Sequence, residues 1–115
     1  MNIFARNLMK KGDAILESLG KTYEGRDIPL LTIGNPQAQK SIVLSARVHP
    51  GETVASFIME GFLKELTSDS EFAKSLKEKY LFKIVPMINP DGVVKGNYRF
   101  SGAGYDLNRR WKHCY

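Results

Sequence analysis

Cysteine is almost missing from this chain. The single Cys114 in 115 residues leaves no partner for an internal disulfide and favours a reducing, cytoplasmic setting. Long apolar runs are missing too. Nothing approaches the roughly 18 consecutive apolar residues of a membrane-spanning helix, so a membrane is not an expected partner. Residues 1–11 contain neither a continuous apolar stretch nor a small-residue cleavage signal, which argues against a secretory peptide. Acidic residues are in deficit: 12 Asp plus Glu face 17 Lys plus Arg, a net charge of +5 that attracts acidic partners at long range. Apart from Arg109, Arg110 and Lys112, the basic residues are scattered and do not interleave with aromatics, so nucleic acid is not an expected partner either. Apolar residues are well represented, at 43%, and their runs exclude wholesale disorder. The length suits one modest domain, with no internal repeat and no flexible linker.

Phe4, Leu8, Ile15 and Leu19 fit a helical stripe interrupted by Gly12, with Gly20 as its C-cap. The polar segment 21–27 leads to a strand over 28–33, where Pro29 belongs at a strand start or an edge because it has no amide donor. A loop over 34–40 precedes a second strand at 41–46, whose Ile42, Val43 and Leu44 read as a buried run. From Glu52 the period changes to helical. The spacing predicts a helix over 53–66 with Phe57 and Ile58 towards the core. Asp69 or Ser70 caps a second helix, and residues 80–86 form a third strand that ends just before a tight turn at Asn89-Pro90-Asp91-Gly92. The expected fold is an incomplete three-layer α/β/α arrangement around a central mixed sheet. The irregular stretch from Val93 onward is long for a domain this small, so residues 1–115 read as the front portion of a larger catalytic domain.

His49 and Glu52 stand out where the second strand gives way to the helix. An imidazole nitrogen and a carboxylate oxygen three residues apart are both good zinc donors. Two protein donors fall short of the usual three of a catalytic zinc site, and the bland alternative is a surface histidine beside a first-turn acid. Asn108 and Arg109 suit a carboxylate clamp, since arginine offers a planar donor fork and asparagine an uncharged donor. Arg99 suits an anionic group or charge developing on a carbonyl oxygen. Asp106 either orients a ligating histidine through its other ring nitrogen or tightens its own loop. Asp91 reads as a turn residue with no catalytic duty, and His113 as an ordinary exposed histidine.

Four segments, 46–53, 85–93, 96–99 and 106–109, together resemble the zinc metallocarboxypeptidase family, in particular its cytosolic carboxypeptidase branch. The resemblance is most specific over 41–111. It implies a mixed sheet between helices and one zinc ion. It implies that His49 and Glu52 are metal ligands, that Asp106 supports His49, and that Arg99 stabilises the oxyanion. Asn108 and Arg109 would hold the substrate's C-terminal carboxylate. It also implies peptide or protein C-terminal tails as partners, polyglutamylated tubulin among them, with glutamate removal as the reaction. In that family the third zinc-ligating histidine and the general-base glutamate lie well downstream of the Asn-Arg pair, hence beyond Tyr115, so the 115 residues alone are expected to be inactive. A non-enzymatic peptide-binding remnant of the same fold is the alternative.

Overall fold

The computed structural model describes residues 14–112. Four strands form one mixed sheet in the order β1-β2-β4-β3: β1 (Ile15–Lys21), β2 (Asp27–Gly34), β3 (Lys40–Ser45) and β4 (Tyr80–Val85). β1 and β4 each pair antiparallel with β2, whereas β3 and β4 run parallel. A parallel pair needs a crossover. It is made by α1 (Val54–Leu66) and α2 (Glu71–Lys79). The short α3 (Pro90–Lys95) and a 3-10 turn (Leu107–Arg109) follow β4.

The strands expected at 28–33, 41–46 and 80–86 thus lie in one sheet, but the run expected to be buried in β3 alternates instead: Ile42 and Leu44 pack against the core while Val43 is 73% exposed on the other face. The helical stripe does not hold where it can be seen. Ile15 and Leu19 belong to β1, and Gly20 is a strand residue rather than a helix cap. Register slips between Ser18 and Gly20, so Leu19 is the extra residue of a bulge. That bulge disturbs the two-residue alternation, so a strand leaves no clear period here in the sequence. Phe4, Leu8 and Gly12 lie outside the described residues, as do His113 and Cys114. Pro29 sits opposite Ser18 of β1, at a level where β2 has no β4 partner, which is the one-sided position its missing amide requires.

The core lies on one face of the sheet. Leu31 is in register with Ile84, and Ile33 with Phe82; all four are buried against Met59, Leu63 and Leu66 of α1. Burying a side chain of this size contributes about 1.5–3 kcal/mol. The helix is in its expected place but turned. Phe57 is 72% exposed and Ile58 67%, so neither faces the core. α1 carries two apolar stripes, and positions 59, 62, 63 and 66 make the cleaner run at helical spacing against the sheet. Ser70 caps α2 by accepting from the Ala73 amide. The 89–92 segment is not a plain turn: Asn89 accepts from the Gly92 amide as N-cap, and Pro90 opens α3.

Asp91 is buried, and it ties this helix to the β1–β2 turn. Its carboxylate accepts from Thr22 Oγ1 at 2.7 Å, from the Glu24 amide at 3.0 Å and from Arg26 Nη1 at 2.7 Å. Glu24 in turn pairs with Lys95 at the far end of α3. Burial works against the charged form of Asp91, but these donors outweigh it and hold the carboxyl below its ordinary value.

Candidate active site

The parallel strands β3 and β4 both point their carboxyl ends at the same place. Ligand sites of α/β sheets lie outside such ends. The 46–52 loop leaves β3 there, and the 86–109 region leaves β4. The Ala46 amide donates to Val85 O, and the Ile88 amide donates to Ala46 O, so the two exits stay side by side. Asn89 Nδ2 then donates to Val48 O at 3.1 Å, which pins the chain one residue before His49.

Glycine allows the loops to pack this closely. The Gly51 amide donates to Tyr98 O at 2.7 Å, and a Cβ on Gly51 would fall 2.4 Å from the Tyr98 ring. This contact holds the His49–Glu52 loop against the segment that carries Arg99.

His49 is 6% exposed and has a carboxylate on each ring nitrogen. Nδ1 lies 2.9 Å from Glu52 Oε1, and Nε2 lies 3.1 Å from Asp106 Oδ1. Asp106 is the N-cap of the 3-10 turn, where Oδ1 also accepts from the Asn108 amide. Its second oxygen accepts from Arg99 Nε at 2.7 Å. Burial pushes the Asp106 carboxyl up, but Arg99, His49 and the Asn108 amide together bring it below the ordinary carboxylate value. A charged Asp106 favours the tautomer with its proton on Nε2. The Nδ1 lone pair then faces the half-exposed Glu52 carboxylate.

Two acceptors facing each other at 2.9 Å call for a cation or a proton between them. An imidazole nitrogen and a carboxylate oxygen are the donor chemistry zinc takes, so this pair fits a zinc ion as two of its ligands. Among the described residues no group of three or more His, Cys, Asp or Glu side chains is placed to hold one metal ion, Asp106 being on the other ring nitrogen of His49, so they contribute two donors.

Four of the residues singled out in the sequence therefore join one hydrogen-bonded group: His49, Glu52, Asp106 and Arg99. Asn108 joins through its backbone amide. Its side-chain Oδ1 accepts from Trp111 Nε1 at 2.6 Å, and Nδ2, the donor end of the amide, makes no hydrogen bond to a described residue. Arg109 is exposed in the same turn, and among the described residues its Nη1 reaches Asn108 O alone, at 3.3 Å. Sequence reasoning passed over Asn89, Arg47 and Trp111. The Asn-Pro opening of a short helix was a readable signal for the first. Nothing in the local pattern marked the other two.

An α/β sheet with a His–Glu donor pair at the carboxyl ends of its parallel strands is the class of protein that these features define. The zinc carboxypeptidase model matches residues 2–115, and the chain belongs to that family. It is 47% identical to cytosolic carboxypeptidase 2 of Mus musculus, an alignment covering 94% of this chain and 13% of that protein. Among solved structures it is similar to a metallo-carboxypeptidase from Burkholderia cenocepacia, with 38% identity and a TM-score of 0.87, covering 96% of this chain and 31% of that one. A metallo-carboxypeptidase from Pseudomonas aeruginosa, in complex with (2-guanidinoethylmercapto)succinic acid, gives 35% identity and a TM-score of 0.83, covering 96% and 31%. The chain thus spans a small part of its curated relative and about a third of each solved neighbour.

Proposed function

We propose that residues 1–115 supply part of the catalytic domain of a cytoplasmic zinc carboxypeptidase acting on acidic C-terminal tails of peptides or proteins. The observation that carries this reading is the chain of contacts Glu52–His49–Asp106–Arg99, in which one histidine nitrogen is held by an aspartate and the other is aimed at a glutamate. His49 Nδ1 and Glu52 would hold the zinc ion. When bound, zinc supplies Lewis-acid polarisation of a peptide carbonyl and a nucleophile at neutral pH.

This chain's own residues do the rest of the work assigned here. Asp106 keeps the proton on His49 Nε2 and so leaves Nδ1 free to donate its lone pair. Arg99 spends Nε on Asp106, and its two terminal nitrogens make no hydrogen bond to a described residue, so they are available to negative charge developing on the carbonyl oxygen. Asn108 Nδ2 and the Arg109 guanidinium would bind the terminal carboxylate of the substrate. The succinic acid derivative bound to the Pseudomonas relative is a carboxylate ligand of the same chemical kind. The net charge of +5 suits acidic tails, with glutamate removal, including from tubulin, as the specific form of the proposal. The name of the mouse relative supports the cytoplasmic assignment.

The test is a zinc titration joined to a cleavage assay on a peptide ending in glutamates. In an active enzyme containing these residues, chelation should abolish release of terminal residues and zinc should restore it. Arg109→Ala should raise KM for a free C-terminal carboxylate and leave an amidated peptide unaffected. Because the described residues offer two donors, the 115-residue chain alone should bind zinc weakly and turn over no peptide. Zinc-independent peptide binding without turnover by the active-site-bearing protein would replace the enzyme reading with that of a binding module.

A further inference from the structure

Arg47 is the only described non-glycine residue with a positive φ, at 59°. L residues rarely adopt that backbone, and such outliers persist where the surroundings over-determine them. The strained residue stands two positions before His49. It is also the residue whose side chain fastens the loop. Arg47 Nε donates to Pro50 O at 2.9 Å, and Nη1 donates to Ser56 Oγ at 2.7 Å.

These two anchors bracket Glu52. Pro50 lies between the two metal-capable residues, and Ser56 lies in the first turn of α1. Two bonds of the loop run outward, from Asn89 to Val48 O and from the Gly51 amide to Tyr98 O, and the rest of its backbone bonding past Ala46 is short-range, as from the Glu52 amide to His49 O and from the Ala55 amide to Glu52 O. Among the described residues, the arginine fork is the one side-chain tie from the loop back to the helix on which it ends. Thr53, at the N-cap of α1, makes no side-chain capping bond, so no cap adds a second side-chain bond at this helix start.

We propose that Arg47 is a positioning residue for the metal pair. Its left-handed backbone turns the chain out of β3 so that His49 enters the site, and its guanidinium fixes the His49–Glu52 separation before any ion arrives. The proposal rests on the reading of His49 and Glu52 as zinc ligands. It needs arginine in particular, because a lysine ammonium cannot span a carbonyl and a hydroxyl with a planar fork.

The experiment measures binding of zinc alone, by competition with a chromogenic chelator, and the visible spectrum of the cobalt-substituted site. It uses the full chain and the variants R47A, R47G, R47K, S56A and H49A. R47A should weaken zinc binding about 10–100-fold, the range seen when groups that orient ligands are lost. R47G relieves the backbone strain and should regain unfolding midpoint relative to R47A, but not zinc affinity. R47K should fall with R47A, and S56A should lose several-fold, with altered cobalt bands in each. Wild-type affinity and cobalt bands in R47G and S56A, with H49A having lost binding, would overturn the role of Arg47 while leaving the ligand assignment standing. Unchanged zinc binding in H49A would overturn the ligand assignment itself. S56A keeps Arg47 in place and answers the question even where R47A fails to fold.

Discussion

Asp91 and Asp106 are the same chemical group used in two ways. Each is shielded from water, each accepts from an arginine and a backbone amide, and each is held below the ordinary carboxylate value. The Asp91 carboxylate ends inside the fold. Its remaining donor is Thr22, and the cluster closes on the β1–β2 turn. The Asp106 carboxylate ends on an imidazole whose far nitrogen looks at a half-exposed glutamate. A satisfied carboxylate is thus no mark of function by itself. What stands at the other end of its hydrogen bonds decides.

The comparison breaks most easily at Asp91. Asp91→Ala leaves Thr22 Oγ1 and the Glu24 amide without their acceptor and Arg26 with Glu24 alone, and should cost about 3 kcal/mol. That is the low end for a broken buried pair, because Arg26 retains its Glu24 partner and access to water. Urea unfolding measures it, and a shift below about 1 kcal/mol would show that the cluster does not hold the fold. Arg99→Ala, in an active enzyme containing these residues, should depress kcat on the order of 10²-fold with little change in KM. An equal rise in KM alone would move Arg99 from charge stabilisation to substrate binding.

Asp106→Asn should weaken zinc binding by about 10–100-fold while moving the unfolding midpoint less than Asp91→Ala does. The reverse ranking would erase the distinction between the two aspartates. The smallest expected effect is the pH dependence. A carboxyl with a lowered folded value stabilises fully above its ordinary value of 3.8, and that stability is lost as pH falls through the lower folded value. Asp91→Asn should therefore flatten the acid limb of a stability curve measured between roughly pH 6 and pH 2. A limb as steep as the wild type's would assign it to other groups.

Strands β2, β3 and β4 were legible because their apolar runs sit between clear loop signals. The cap of α2 was legible to within two residues, Asp69 or Ser70, because such caps bond locally, and Ser70 is the one that does so. The residues of the candidate site could be named because His49 and Glu52 lie three apart and the Asp106–Arg109 stretch is compact. β1 was hidden by the bulge at Leu19, which mixes its alternation into a false helical stripe. In α1 the period was right and the face was wrong, since two apolar stripes share one helix and the sequence does not say which one meets the sheet. Asp91 read as a turn residue because its partners lie 65 to 69 positions away. Arg47 gave no sign, as positive φ at a non-glycine residue is imposed by the surrounding structure and not by its neighbours in sequence.

The crossover between β3 and β4 bears on how the site comes into being in time. The β1–β2 hairpin closes over a few residues and can zip early. By contrast, β3 and β4 meet only after α1 and α2 have formed and swung the chain back, and such non-local closure is slow. His49 and Glu52 are neighbours from synthesis onward, but His49 meets Asp106 across 57 positions and only at the mouth of that late parallel pair. A newly made chain therefore owns its two metal-capable side chains well before it owns the geometry that aims them, and ordering of the histidine ring should coincide with the last step of folding.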